Sequence, residues 1–134
     1  MTTNKKNNIV LIGMPAAGKS TVGIILAKVL GYQFLDTDLV IQEQEQRLLK
    51  DIIKEEGLEG FIAVENRINA SLKVTNTVIS TGGSVIYGKE AMEHLKTIGT
   101  VIYIKLSYET LDSRLGNIKQ RGVVLKKGQN LQEL

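Results

Sequence analysis

Four short apolar runs, at 8–12, 32–35, 77–80 and 100–106, alternate with stretches whose apolar residues recur at helical spacing, at 19–30, 39–55, 58–73, 89–97 and 108–116. Strands alternating with helices imply a mostly parallel sheet covered by helices on both faces. Right-handed crossovers then bring the loops that follow the strands to one edge, where ligands bind in such sheets. At 134 residues the chain is long enough for one core and short for two. The expectation is a single α/β domain spanning 1–134.

Composition narrows the chemistry. No cysteine is present, so disulfides, thiolate metal sites and a cysteine nucleophile are excluded. The polar start, with Lys5 and Lys6, and the short apolar run after it read as neither a signal peptide nor a membrane span. A cytoplasmic location with no membrane partner is expected. The net charge is +3. Residues 113–132 carry Arg114, Lys119, Arg121, Lys126 and Lys127 without an acid, interrupted by Gly116, Gly122 and Gly128. No aromatic lies in this stretch to stack on a base, so phosphates of a small ligand fit better than nucleic acid. A solvated basic loop is the plainer alternative.

The first run leads directly into Gly13 and, five residues on, Gly18-Lys19-Ser20, the G-x-x-x-x-G-K-[ST] pattern of a phosphate-binding loop. The glycines let the backbone turn so that successive N–H groups point at a phosphate. The following helix, with Val22, Ile25, Leu26 and Val29 as its expected buried stripe, adds its positive end. Lys19 can reach the β- and γ-phosphates, and Ser20 can ligate Mg²⁺. A nucleoside triphosphate is the implied ligand.

Two further loops follow strands and should reach the same cleft. Asp36 and Asp38 close the second run; on an extended strand both would point to one side. One could hold Mg²⁺ through water, while the other orients a hydroxyl or takes its proton. The plainer reading is an Asx turn capping a helix that begins near Leu39. Thr81-Gly82-Gly83-Ser84 follows the third run, and its glycines would let a substrate lie against bare backbone, although a plain turn explains them equally well. On the helix from Leu58, the residues Leu58, Phe61, Ile62, Ile68 and Leu72 form an inward stripe with Glu65 at its centre and Arg67 opposite. Glu65 is a site or ion-pair candidate if buried, and unremarkable if partly exposed. His94, the only histidine, flanks the Ala91/Leu95/Ile98 stripe and is expected at the surface.

Together, the loop at 13–21, Asp36-Thr37-Asp38, the Gly57/Phe61/Glu65 spacing, Thr81-Gly82-Gly83 and the Arg114/Arg121 pair resemble the shikimate kinase family of P-loop small-molecule kinases. The resemblance implies a three-layer α/β/α P-loop kinase fold with a mostly parallel sheet. It also implies transfer of the ATP γ-phosphate to the 3-hydroxyl of shikimate, on the route to aromatic amino acids, by a monomer using ATP and Mg²⁺. Gly13, Ala16, Ala17, Gly18, Lys19, Ser20 and Thr21 would hold the nucleotide phosphates, with Arg114 near adenine. Ser20 and Asp36 would serve Mg²⁺. Asp38 would hold the acceptor hydroxyls and take the proton, with Gly82, Gly83 and Glu65 lining the substrate. Arg121 would swing in from a lid at 113–128, completing the catalytic set with Lys19 and Asp38.

This chain departs from the family pattern at several points. Ile62 stands where the family places a carboxylate-binding arginine, Ser84 replaces a third glycine, and the lid reads Arg121-Gly122-Val123. The sequence stops at Leu134, short of the family's last helix, second carboxylate-binding arginine and last strand, so an incomplete chain or a shortened relative is expected. A kinase for another hydroxylated acceptor and a non-catalytic nucleotide-binding regulatory domain are the other readings these departures leave.

Overall fold

The computed structural model describes residues 7–13 and 16–104. In chain order it contains β1 (Asn8–Gly13), α1 (Ala16–Leu30), β2 (Gln33–Asp36), α2 (Thr37–Glu45), α3 (Leu49–Ala70) and β3 (Thr77–Ser80). A short 3₁₀ turn (Val85–Tyr87), α4 (Lys89–Ile98) and β4 (Gly99–Ile104) follow. The strands form one sheet in the order β2-β3-β1-β4, and every pairing is parallel. The expected run at 108–116 lies outside the described residues.

Alternation along the strands divides the core between the two faces of the sheet. Val10, Ile12 and Ile79 pack with Ala91 and Leu95 of α4 on one face. Leu11 and Val78 pack with Ala27 of α1 on the other. Helices therefore cover both faces, as the alternating pattern predicts. A separate apolar cluster (Ile41, Ile52, Phe61, Val64 and Ile68) joins α2 to α3.

α1 contacts the sheet through only part of the expected stripe, with half-buried Val22 and Leu26 packed against the Leu11/Ala27/Val78 cluster. Ile25 and Val29 stand 59% and 76% exposed, whereas Gly23 and Ala27 are buried. A Cβ at Gly23 would meet the Phe34 ring at 2.7 Å and Leu11 at 3.3 Å. At Gly23 the helix lies too close to the sheet for a larger residue, so small Gly23 and Ala27 make the contact, flanked by Val22 and Leu26.

The pattern at 39–55 is likewise two elements rather than one. α2 ends at Gln46, whose left-handed backbone (φ 57°) sends its N–H back to the Gln42 carbonyl. The Gln42 side chain then accepts from the Leu49 N–H at 3.0 Å and so caps α3. Arg47 braces the corner with bonds to Glu45, Glu55 and Glu56 at 2.6, 2.7 and 2.5 Å. α3 kinks at Gly57 (φ 77°), which turns Leu58 out of the expected stripe and leaves it 60% exposed.

Asn8 ties the N-terminal ends of three strands together. Its Nδ2 donates to the Val74 and Ile98 carbonyls, both at 2.9 Å, and its Oδ1 accepts from the Thr77 N–H at 3.0 Å. The side chain is buried, so Asn8→Ala leaves two carbonyls and one N–H without their partners. We expect a loss of about 3 kcal/mol in unfolding free energy, read as a lower urea midpoint at unchanged m-value. A midpoint equal to that of the unaltered chain would show that these bonds contribute nothing net.

Candidate functional site

The C-terminal ends of β1, β2 and β3 bring the three sequence motifs to one edge of the sheet. Gly13 closes β1 at φ 110°, and a Cβ there would lie 2.5 Å from the Ile104 carbonyl oxygen. Only glycine tolerates both the dihedral and the approach. α1 begins at Ala16, earlier than the helical pattern alone indicates, so Gly18, Lys19 and Ser20 lie within its first turns. Their position at the positive end of a helix suits an anion. Lys19 is buried, and its Nζ donates to the Gly13 carbonyl at 3.1 Å, folding the side chain back over the loop.

The two aspartates converge on this lysine, by a route other than the expected one. Asp36 ends β2, but Asp38 belongs to the first turn of α2, so strand alternation does not align them. Asp36 is the N-cap: its Oδ1 accepts from the Asp38 N–H at 2.9 Å. The capping role expected as the plainer alternative is therefore real, and it coexists with the site placement. Burial lowers the Lys19 pKa, while the charges of Asp38, Asp36 and Glu65 oppose that shift. Burial, reinforced by Asp36, raises the Asp38 pKa against the opposing pull of Lys19. A carboxylate made more basic in this way is better suited to accept a proton.

Thr81 anchors the glycine pair to the sheet, with its N–H and hydroxyl both donating to the Leu11 carbonyl, at 3.2 and 2.7 Å. Gly82 is buried, and a Cβ there would stand 2.6 Å from Glu65 Oε2 and 2.9 Å from Asp38 Oδ1. Two carboxyl groups thus face one point above bare backbone. Gly83 is exposed and has nothing within 4 Å of its Cβ position, so the two glycines are not equivalent.

Glu65 is 1% exposed, which removes the partly exposed reading. Its Oε1 accepts from the Ser84 hydroxyl at 2.6 Å, and Oε2 has no hydrogen-bond partner among the described residues. Burial raises its pKa, the Ser84 bond opposes this, the Asp38 charge adds to it, and Lys19 opposes it. Ile62 sits one turn earlier on α3, half-buried against the α2–α3 cluster. Arg67 points away and pairs with Glu45 at 2.8 Å. His94 departs from its expected surface position. It is half-buried and its Nε2–H donates to the Leu72 carbonyl at 2.6 Å, tethering α4 to the end of α3.

Arg114, Arg121 and the lid at 113–128 lie outside the described residues, as do the side chains of Ala16 and Ala17. Sequence reasoning missed Ser84 as a contact of Glu65, and also Asn66, whose side chain caps α4. Neither position carries a periodicity or motif signal. Among the described residues no cluster of three or more His, Asp or Glu side chains could hold a metal by itself. Mg²⁺ beside a triphosphate needs only one or two protein oxygens, because phosphates and water complete its octahedron. A serine hydroxyl and an aspartate carboxylate fit that requirement. No described helix is long and apolar enough to cross a membrane.

A glycine-framed loop between strand and helix, on a parallel sheet and facing two carboxylates, defines the P-loop kinase class of α/β fold. A sequence model of the family described as shikimate kinase matches residues 15–134. The chain belongs to the shikimate kinase family. It is 47% identical over 110 residues to a shikimate kinase of Clostridium botulinum, covering 81% of this chain and 64% of that one. A Persephonella marina shikimate kinase is 38% identical over 128 residues, covering 95% and 78%. Among solved structures, a shikimate kinase from Acinetobacter baumannii in complex with shikimate superposes with a TM-score of 0.70 at 32% identity, over 92% of this chain and 70% of that one. One from Bacteroides thetaiotaomicron gives a TM-score of 0.72 at 28% identity, over 94% and 72%. The chain thus spans slightly under two thirds of the Clostridium relatives it matches.

Proposed function

We propose that this chain carries the catalytic edge of an ATP-dependent kinase that phosphorylates a hydroxyl of shikimate. The observation that carries the reading is that buried Glu65 and half-buried Asp38 meet over the bare backbone of Gly82, with buried Lys19 of the phosphate loop in the field of both carboxylates. The family of its relatives supports shikimate as the acceptor.

In this reading the loop from Gly13 to Thr21, including Ala16, Ala17, Gly18, Lys19 and Ser20, holds the ATP phosphates. Ser20 and Asp36 are assigned to Mg²⁺, whose charge offsets that of the β- and γ-phosphates when bound. Asp38 orients the acceptor hydroxyl and takes its proton as the new oxygen–phosphorus bond forms and the bond to ADP breaks. Gly82 and Glu65 line the acceptor, with Gly83 at the exposed edge of its site. Arg114 is assigned to the adenine and Arg121 to the transferring phosphoryl group, reached by closure of the lid at 113–128. Residues 1–134 belong to the kinase domain in this reading, acting as a cytoplasmic monomer.

Ile62 favours a second reading, in which the acceptor is another hydroxylated metabolite whose end at α3 is uncharged. A bidentate arginine–carboxylate contact is worth about 1.5–3 kcal/mol. Ile62→Arg is therefore expected to lower the shikimate KM at least about tenfold, measured by coupled ADP release. If the unaltered chain uses no shikimate and Ile62→Arg gains none, the second reading replaces the first.

A further inference from the structure

Ser84 stands where the family pattern has a third glycine, and its hydroxyl donates to the Glu65 carboxyl at 2.6 Å, the one hydrogen bond to that carboxyl among the described residues. We infer that Ser84 is a positioning residue of the acceptor site: it fixes Glu65 Oε1 so that Oε2 faces the space over Gly82 and receives a substrate hydroxyl next to the one held by Asp38. The inference rests on the phosphoryl-transfer reading of the site.

Three observations lead to it. Glu65 is 1% exposed, so a carboxyl oxygen left without a donor is costly, and Oε2 has none among the described residues. That oxygen and Asp38 Oδ1 both lie within hydrogen-bonding distance of the point where a Gly82 Cβ would sit. The two oxygens therefore pack side by side against the Gly82 backbone, and neighbouring acceptor oxygens suit adjacent hydroxyl groups on a ring. The short Ser84 bond removes one of the two carboxyl oxygens from competition and sets the plane of the other.

The loop does not need the Ser84 hydroxyl to keep its shape. Ser84 has φ −103° and ψ 11°, a conformation open to alanine. Thr81 holds the start of the loop through Leu11, and the Tyr87 N–H donates to the Ser84 carbonyl at 3.1 Å. At the far end Asn66, the neighbour of Glu65 on α3, accepts from the Ala91 N–H at 2.8 Å and donates to Glu90 at 2.9 Å. The far end of the segment is therefore held without the Ser84 hydroxyl. Ser84→Ala removes the orientation of Glu65 and little else.

The groups facing Glu65 are Ser84, Asp38 from α2 and Lys19 from α1. The serine bond favours the ionised carboxyl, so its loss moves the Glu65 titration midpoint upward. The test compares the unaltered chain with Ser84→Ala by two readouts. The first is the ¹³C carboxyl titration of labelled glutamates, with Glu65 assigned through E65Q. The second is coupled ADP release with shikimate. Expected are a higher Glu65 midpoint and an acceptor KM raised about tenfold, with the ATP KM unchanged. An unmoved Glu65 midpoint, or an unmoved acceptor KM in an active chain, overturns the inference. A chain that releases no ADP with shikimate yet shows the titration shift counts against the shikimate assignment and leaves the Ser84–Glu65 contact supported.

Discussion

Asp38→Asn is expected to reduce kcat by about a thousandfold while ATP binds with unchanged affinity. The substitution keeps the shape of the side chain and removes its ability to take a proton. The cap of α2 survives, because Asp36 Oδ1 accepts from the backbone N–H of residue 38 and not from its side chain. Turnover by coupled ADP release and ATP affinity by calorimetry separate the two effects. Undiminished turnover would remove Asp38 from the chemistry.

The same variant is expected to be more stable than the unaltered chain at neutral pH. The folded-state pKa of Asp38 is raised above its ordinary 3.8, chiefly by burial. Between 3.8 and the folded value, the native state binds more protons than the unfolded one. Stability therefore falls as pH rises through that window and stays reduced above it. Asparagine carries no charge to desolvate. Lys19 loses one of its three carboxylate neighbours, but the net upward shift of Asp38 means that burial outweighs that attraction. A thermal melt should show a higher Tm at pH 7 for Asp38→Asn, with a difference that shrinks as pH falls toward 4. A lower Tm at pH 7 would mean that the Lys19 attraction is the larger effect. Gain of stability with loss of activity is the usual exchange at a site built for charge.

Gly82→Ala and Gly83→Ala are expected to behave as opposites. At Gly82 the new methyl group would press on Glu65 Oε2 at 2.6 Å and Asp38 Oδ1 at 2.9 Å, the two carboxyl groups assigned to the acceptor. Both carboxyl groups must turn aside, and the acceptor kcat/KM should fall about a hundredfold or more. Gly82 is not in the left-handed region, so the backbone is not strained and the fold should hold. At Gly83 the methyl group meets nothing within 4 Å, and alanine should change neither constant by more than about twofold. Steady-state kinetics on both variants, with circular dichroism to confirm folding, checks the pair. Equal losses at the two positions would show that the glycines serve backbone freedom and not approach of the acceptor.

The sheet was largely legible before any coordinates. Parallel strands buried on both faces read as continuous apolar runs, and the 77–80 run coincides with β3 residue for residue. Helix partition was not legible. The stretch from Gln44 to Lys50 favours helix locally, and the break comes at a left-handed Gln46, next to Arg47, which pairs with Glu55 and Glu56 of α3. Part of the sheet-facing stripe of α1 also escaped the apolar pattern: Val22 and Leu26 were legible, but Gly23 and Ala27, which lie buried against the sheet, were not.

Sequence by itself determined the phosphate loop, the parallel α/β order and the aspartate pair, because each depends on residues adjacent in the chain or on a period that repeats along it. Tertiary structure alone decided that Glu65 is buried, that its Oε1 meets Ser84 while its Oε2 packs over Gly82, and that two carboxyl groups crowd Gly82 while Gly83 stands open. Those facts depend on the distance between α3 and the loop after β3, which no local pattern encodes, since packing sets it through contacts between residues far apart in sequence.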